Sequence, residues 1–452
     1  MTGTNKPGSE DFDRLEKLKI VVDGEVGIVK QLLPGILASG DPPIFSYAGI
    51  MADTKAYGAH KCNQRNGGAG FSDVQARVSA IGECLERYCA AFYDLEKLVF
   101  AAWVDLGKEA VHPSEWCLFN EKQYELYKSL GWNYEPFTEN TKVCWVKGWS
   151  LTKEEPRYVP AQMVYIPYSK LFQESIISPS ISTGMAFGFS WSEALCYGLY
   201  EHFERDAFSI CWLWRLPTPN IILDDSFILD LRQKFFPFVS NIWIKYLSLD
   251  FKIHVIGIFG LAKIRSTSGE RIKAIVMGSA ARLDPIRAVC KSFLELGQTA
   301  PFYRYLLDSS STKNFEDDLK NLLNFDDHAY YWLRNTESIM SELSFLESGV
   351  QISLKSLPNF GSNNCLDNVK YMVNLLKKED IEVVAIDLTT PDIEALGGKV
   401  CKVLIPSFQP LEGAHLLRHL GGTRLTRVPV NVGYLPDVPS YKMLNPIPHP
   451  SP

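Results

Sequence analysis

A basic excess is missing from this sequence. Its 46 lysines and arginines are outnumbered by 52 aspartates and glutamates, giving a formal charge of −6, whereas a general nucleic-acid binder ordinarily shows a basic surplus or stripe. Long apolar runs are missing too. The most apolar stretch, Ile242 to Ile264, is interrupted by Lys245, Asp250, Lys252 and Lys263, so nothing reaches the roughly 18 apolar residues that a membrane-spanning helix needs. None of the 10 cysteines forms a C-x-x-C pair, which fits neither a zinc ribbon nor the dense framework of a small secreted domain, so buried thiols are expected. The N-terminal residues hold no apolar signal segment, and a cytoplasmic address is expected. No G-x-x-x-x-G-K-[ST] is present, and G-G-A-G at 67–70 is not G-x-G-x-x-G, so neither a P-loop nor a Rossmann fingerprint is available. Kinase-type loops are also absent.

What is present is a chain of 452 residues with 46% hydrophobic and 12% aromatic residues, the composition of a well-cored globular protein. Strand-like runs such as 381–388 and 400–406 alternate with helical patterns such as 368–378, which predicts an α/β or α+β architecture. No Gly/Ser linker or like-charge block cuts the chain. The expected division is an N-terminal arm or small subdomain over 1–59 and one large domain over 60–452. His415 and His419 stand at i, i+4, a metal-ligand spacing, but without H-E-x-x-H they are expected to be ordinary helix-face residues.

The sequence also matches itself. At an offset of 118, residues 70–87 align without gaps to residues 188–205, and 7 of 18 positions are identical: a G-F-S entry, one alanine and an E-x-x-E-R exit. Each copy reads as a helix opened by a capping box, with Ser72 before Gln75 and Ser190 before Glu193, and a glycine two residues ahead of each serine. Gln75, Ser79, Glu83 and Glu86 fall along one face of the first helix. Glu193, Tyr197, Glu201 and Glu204 fall along the same face of the second.

For a single copy, a solvated face with local ion pairs would explain such charges. Duplication suggests pseudo-symmetric halves that bring the two acidic stripes together. Carboxylates so placed repel and are costly to desolvate unless cations neutralise them, and Mg2+ commonly bridges carboxylates to phosphate oxygens. Arg87 and Arg205 would then meet a carboxylate or a phosphate. Residue chemistry alone leads to a magnesium-phosphate site between two pseudo-repeats, with the solvated face still open.

At these residues the sequence resembles the YcaO superfamily, whose members bind ATP through acidic helices. The family pattern S-x-x-x-E-x-x-E-R matches Ser79, Glu83, Glu86 and Arg87. A second pattern matches S-T-G-M-A-F-G at 182–188, then Glu193, Ala194, Glu201, Glu204, Arg205, Asp206 and Ala207. A third, an E-x-x-Q helix after a D-P turn, matches Asp284, Pro285, Glu295 and Gln298. The likeness continues through 387–392 and 418–425, and covers nearly everything from about residue 60 onward. Azoline-forming members end in P-x-P-x-P, matched by Pro448, Pro450 and Pro452. Two positions depart from the family: Ala69 stands where a lysine is common, and Phe189 where an asparagine is.

The resemblance implies an α/β (α+β) YcaO fold, with two pseudo-symmetric halves placing acidic helices around an ATP site and a docked proline-rich C-terminus. It implies ATP-dependent cyclodehydration of Cys, Ser or Thr in a ribosomally made precursor peptide to thiazoline or (methyl)oxazoline. Glu83, Glu86, Glu201 and Glu204 would hold Mg2+; Ser79, Arg87, Glu193, Arg205 and Gln298 would join them in binding ATP. Glu83, Glu201 and the carboxylate of Pro452 are the catalytic candidates. An E1-like partner that binds the leader is expected, along with a flavin-dependent azoline dehydrogenase and a homodimer inside a larger complex. Neither nucleic acid nor membrane is expected as a partner. Peptide thioamide formation and a noncatalytic ATP-binding scaffold are the alternatives.

Overall fold

The computed structural model describes residues 9–57, 60–62, 64–235, 237–267, 269–309 and 319–451. Helix α1 (Ser9–Leu18) precedes a three-stranded antiparallel sheet of β1 (Val29–Pro34), β2 (Phe45–Met51) and β3 (Arg65–Gly70). The division expected at 59/60 falls between β2 and β3, which pair from Phe45 with Gly70 to Ile50 with Arg65.

Helix α2 (Asp73–Ala90) follows β3 and folds back along it. A six-stranded sheet then begins with β4 (Val99–Ala101), β5 (Val143–Ser150), β6 (Glu155–Pro160) and β7 (Met185–Gly188), and β7 leads into helix α3 (Trp191–Leu213). A third sheet, five-stranded, holds β8 (Asn220–Ile222), β9 (Val239–Tyr246), β10 (His254–Arg265) and β11 (Arg271–Arg282). After helices α4 (Pro285–Asp308) and α5 (Phe325–Ile339), β12 (Gln351–Ser353) joins its edge. Helix α6 (Cys365–Lys378), β13 (Val384–Asp387) and β14 (Lys399–Leu404) return to the six-stranded sheet, ordered β4-β5-β13-β14-β7 with β6 on β5.

The predicted runs at 381–388 and 400–406 are β13 and β14, each shorter than expected or shifted, and the predicted helix at 368–378 begins three residues earlier. Among the described residues every ladder is antiparallel except β8 with β12. The fold therefore leans to the α+β side of the expectation, since parallel crossovers hardly contribute.

Two hydrophobic cores dominate, beside two small clusters. One collects α3, α4, α5 and the five-stranded sheet; the other collects α2 and the six-stranded sheet. Helices α2 and α3 each turn one face into a different core, which leaves their polar faces at the junction. Eight of the ten cysteines are buried and all ten are free thiols. His415 and His419 do not share a helix face: His415 opens a one-turn helix ending at Leu417, and His419 lies beyond it. No helix among the described residues is long and apolar enough to cross a membrane.

Candidate active site

Both acidic helices start from the same device. The hydroxyls of Ser72 and Ser190 accept from the backbone N–H of Gln75 and Glu193, each at 3.2 Å. The return halves of the expected capping boxes differ. Gln75 donates its side-chain amide to Asp11 on α1 at 3.1 Å, and Glu193 accepts from the Phe189 N–H at 2.8 Å, one residue before the cap. The entry glycines serve close approach: a Cβ on Gly70 or Gly188 would sit 2.5 Å from the Ala76 nitrogen or 2.7 Å from that of Ala194. Strand and helix therefore touch through backbone, which fixes the acidic face against the strand before it.

That contact reaches the carboxylates. Glu83 accepts from Gly67 N–H at 3.2 Å and Glu201 from Gly184 N–H at 2.8 Å. Glu86 crosses between copies, accepting from Phe187 N–H of β7 at 2.8 Å. Glu204 accepts from the Ser279 hydroxyl of β11 at 2.7 Å. The arginines fold back one turn, Arg87 to Glu83 at 3.6 Å and Arg205 to Glu201 at 2.8 Å, with Arg205 also donating to Thr183 at 3.3 Å. Helix α4 closes the third side: Gln298 packs against Gly67, and Glu295 lies within the field of Glu204. Ser79 is exposed on the acidic face of α2, one turn before Glu83.

Electrostatics show how crowded this is. Burial, then the Glu83 carboxylate, push Glu86 up to about 8. Burial, then Glu295, push Glu204 up to about 8. Both acids are therefore protonated near neutrality, a state that a divalent cation would replace. Lys402 on β14 is buried beneath them and bonds the Ile181 carbonyl; burial pulls it down to about 7 against the field of Glu201. Among the described residues no three acidic, His or Cys side chains converge to ligate an ion unaided. Mg2+ ordinarily shares its shell between carboxylates, phosphate oxygens and water.

The proline-rich tail also runs toward this place. Asn445 N–H bonds the Leu213 carbonyl at 2.7 Å, Trp212 Nε1–H bonds Ile447 O at 3.1 Å, and Trp332 Nε1–H bonds Pro448 O at 3.1 Å. His449 bonds the Glu412 carbonyl at 2.8 Å and faces the Phe208 ring at 6.2 Å. From Leu213 to Phe208 the tail travels antiparallel to α3, in the direction of Glu204. Pro452 lies outside the described residues.

Comparison with known proteins gives the family. Residues 67–409 match the family model described as YcaO cyclodehydratase, ATP- and Mg2+-binding. The chain belongs to the YcaO family. Its YcaO domain is an ATP- and Mg2+-binding cyclodehydratase domain by that description. An uncharacterized protein of Methanothermobacter thermautotrophicus is 28% identical over 236 residues, 51% of this chain and 56% of that one. A heterocyclase solved in complex with substrate and cofactor superposes with a TM-score of 0.78 at 22% identity, over 99% of this chain and 58% of the other. YcaO from Methanopyrus kandleri, bound with AMPPCP and Mg2+, superposes with a TM-score of 0.63 at 20% identity, over 88% and 91%. The chain thus spans little more than half the length of the first two.

Three residues in contact with the site were not read from sequence. Lys402 left a trace, as the one charged residue inside the apolar run V-C-K-V-L-I. Ser279 left none. Arg14 of α1 reaches Glu193 at 2.8 Å and lies over the Phe189 ring at 5.4 Å, and nothing in the mixed-charge N-terminal sequence pointed there.

Proposed function

We propose that this protein uses ATP to convert Cys, Ser or Thr residues of a ribosomally made precursor peptide into thiazolines or (methyl)oxazolines. The observation that carries this reading is the convergence of the two E-x-x-E-R helices, with α4, into one cluster of carboxylates and cations. The side-chain thiol or hydroxyl gives up its proton and attacks the preceding carbonyl carbon, which closes the ring; the resulting oxyanion takes the γ-phosphoryl group of ATP as ADP leaves, and loss of phosphate together with the amide N–H proton forms the C=N bond. An amide oxygen leaves poorly, so its phosphorylation is what makes dehydration possible in water.

Glu83, Glu86, Glu201 and Glu204 would hold Mg2+, which supplies charge neutralisation for the phosphates. Ser79, Glu193, Arg205 and Gln298 would contact ATP, with Arg87 orienting the acidic cluster or a phosphate. The tail favours azoline over thioamide chemistry, because its carbonyls are gripped by Trp212 and Trp332 and its course leads toward Glu204. A stiff proline-rich segment docks at low entropic cost, and its terminal carboxylate would position the peptide or move a proton.

Partners follow from the same reading. An E1-like leader-binding protein would present the peptide, in a cytoplasmic complex containing a homodimer. A flavin-dependent dehydrogenase would be needed to take azolines to azoles. Incubating the protein with Mg2+, ATP, the E1-like partner and a precursor peptide, then weighing the peptide, tests the proposal. One water mass lost per ring supports it; exchange of oxygen for sulfur means thioamide formation, and an unchanged mass means a scaffold. Extending the chain by two residues past Pro452 should suppress ring formation and leave folding intact.

A further inference from the structure

The C-terminal tail from Asn445 to His449 is held by its carbonyls. Pro446 and Pro448 have no N–H to give, yet each of the five carbonyls finds a donor. Asn445 O accepts from Arg418 Nη1 at 2.8 Å, Pro446 O from the His415 ring, and Ile447 O from Trp212 Nε1 at 3.1 Å. Pro448 O accepts from Trp332 Nε1 at 3.1 Å and His449 O from His328 Nδ1 at 3.2 Å. The tail returns one bond of its own, from His449 Nε2 to Glu412 O at 2.8 Å.

These bonds fix three buried imidazoles. A carbonyl only accepts, so the bonded nitrogen of each ring carries the proton, and the other nitrogen of the neutral ring is a lone pair. On His415 the lone pair faces Arg418, whose Nη2 lies 3.2 and 3.3 Å from the two ring nitrogens. His328 Nε2 and His449 Nδ1 are buried with no partner among the described residues. Their rings lie 4.2 Å apart, and the His415 ring lies 6.1 Å from that of His328. Among the described residues no three acidic, His or Cys side chains converge as metal ligands, which leaves a proton as what these lone pairs can take. The charged groups facing the trio are Arg418 and Glu412, 3.6 Å apart on the segment that carries His415, and Asp327 beside His328 on α5. Helix α3 presents only the Phe208 and Trp212 rings to the tail.

We propose that His328, His415 and His449 are positioning residues for the C-terminal tail, a clasp that seats it only while all three rings are neutral. This deepens the azoline reading above and rests on the docked tail which that reading requires. Protonating a ring puts a buried cation near Arg418, and the new N–H of His328 or His449 finds no acceptor. Burial already holds His328 down at about 4, and burial with Arg418 holds His415 down at about 2; burial, then His328, keep His449 well below 6.5. Release of the tail hydrates all three rings, which then take protons at their ordinary value of 6.5. Docking is therefore at full strength above that pH and weakens as the pH falls below it. Glu412 works the other way. Burial pushes it up to about 7, so it keeps a proton in the docked state and gives it up when hydrated. Three imidazole protons gained, less one carboxyl proton lost, leave a net uptake of about two on release.

Amide hydrogen exchange of the full chain without substrate, from pH 8 to pH 5, tests the clasp. The reporters are Asn445 N–H, bonded to Leu213 O at 2.7 Å, and Ile447 N–H, bonded to Asn445 Oδ1 at 3.1 Å. Their protection, corrected for intrinsic exchange, should fall by about 10²-fold between pH 6 and pH 5, while Ile258 in the centre of β10 keeps its own. His328→Asn and His449→Gln each retain a donor near the bonded position and lack the lone pair. Each should reduce the fall to about tenfold, and the two together should remove it. A flat profile in wild-type protein overturns the clasp, as does an undiminished fall in both variants. Loss of protection at Ile258 in step with the tail assigns the effect to unfolding of the chain and overturns it too. Ring formation at pH 8, with ATP, Mg2+, the E1-like partner and a leader-bearing peptide, is measured separately. A wild type that removes no water there overturns the azoline reading, whereas the exchange profile judges the clasp by itself.

Discussion

Helices α2 and α3 carry the same E-x-x-E-R, yet they are built in differently. In the second copy the glutamate that meets the strand backbone does so at 2.8 Å and its arginine pairs at 2.8 Å; in the first the same contacts are 3.2 and 3.6 Å. The residue after the arginine explains part of this. In α3 it is Asp206, buried and bound by Arg424 at 2.6 and 2.9 Å, and Arg424 also holds Asp250 and lies over Phe408 at 4.6 Å. In α2 it is Tyr88, whose hydroxyl donates to Asp392 at 2.8 Å. The duplicated sequence kept the groups that face the shared site, while the groups that fasten each helix to its own core diverged.

If the two copies are chemically equivalent, removing one carboxylate charge from either should be equally disabling. Glu83→Gln and Glu201→Gln should each lower ATP-dependent water loss by about 10³-fold or more, as removal of preorganised charge at a transition state typically does. Full activity in both would discard the metal cluster. Full activity in only one would show that a single copy does the chemistry.

The fastenings should respond unequally. Arg424→Met leaves Asp206 buried without its ion-pair partner, which typically costs about 3–5 kcal/mol; Tyr88→Phe removes the hydrogen bond to Asp392, worth about 1 kcal/mol. Chemical denaturation of both variants measures this. Equal losses would mean that α2 has an anchor as strong as that of α3.

The repeat, both caps and the α4 block were legible because each rests on spacing within a few residues, and spacing is what a sequence preserves. The cross-links were not. Glu86 meeting Phe187 N–H, Glu204 meeting Ser279 and Arg14 meeting Glu193 join residues 75 to 179 positions apart, and nothing local forecasts them. The antiparallel ladders were equally hidden, since a buried strand looks alike in either direction. Ala69 and Phe189, the departures from the family pattern, sit beside the site, and Phe189 lies under the cations Arg14 and Lys17.

In proton traffic the two copies should behave alike. Glu86 and Glu204 sit at about 8, above their ordinary 4.5, so at pH 7 each is mostly protonated in the free protein. Cation binding requires the ionised form, so Mg2+ with ATP should expel protons, and affinity should rise with pH up to about 8. Calorimetry in buffers of different ionisation enthalpy counts the protons released. Glu86→Gln and Glu204→Gln should each reduce the count by about one. Proton uptake on binding would reverse the assigned states.

The smallest difference lies at the helix starts. Ser72→Ala and Ser190→Ala each delete one cap, ordinarily worth about 1 kcal/mol. At α3 the Glu193 carboxylate still accepts from Phe189 N–H and still places negative charge on the helix N-terminus. At α2 the matching side chain, Gln75, is turned away to Asp11, and the first-turn carboxylate of Asp73 is taken up by Tyr47 and Arg77. Amide exchange at Gln75 in the first variant should therefore accelerate more than exchange at Glu193 in the second. An equal acceleration would mean that the first turn of α2 is secured by α1 as well as α3 is by its own carboxylate, and the two copies would then differ only in their anchors.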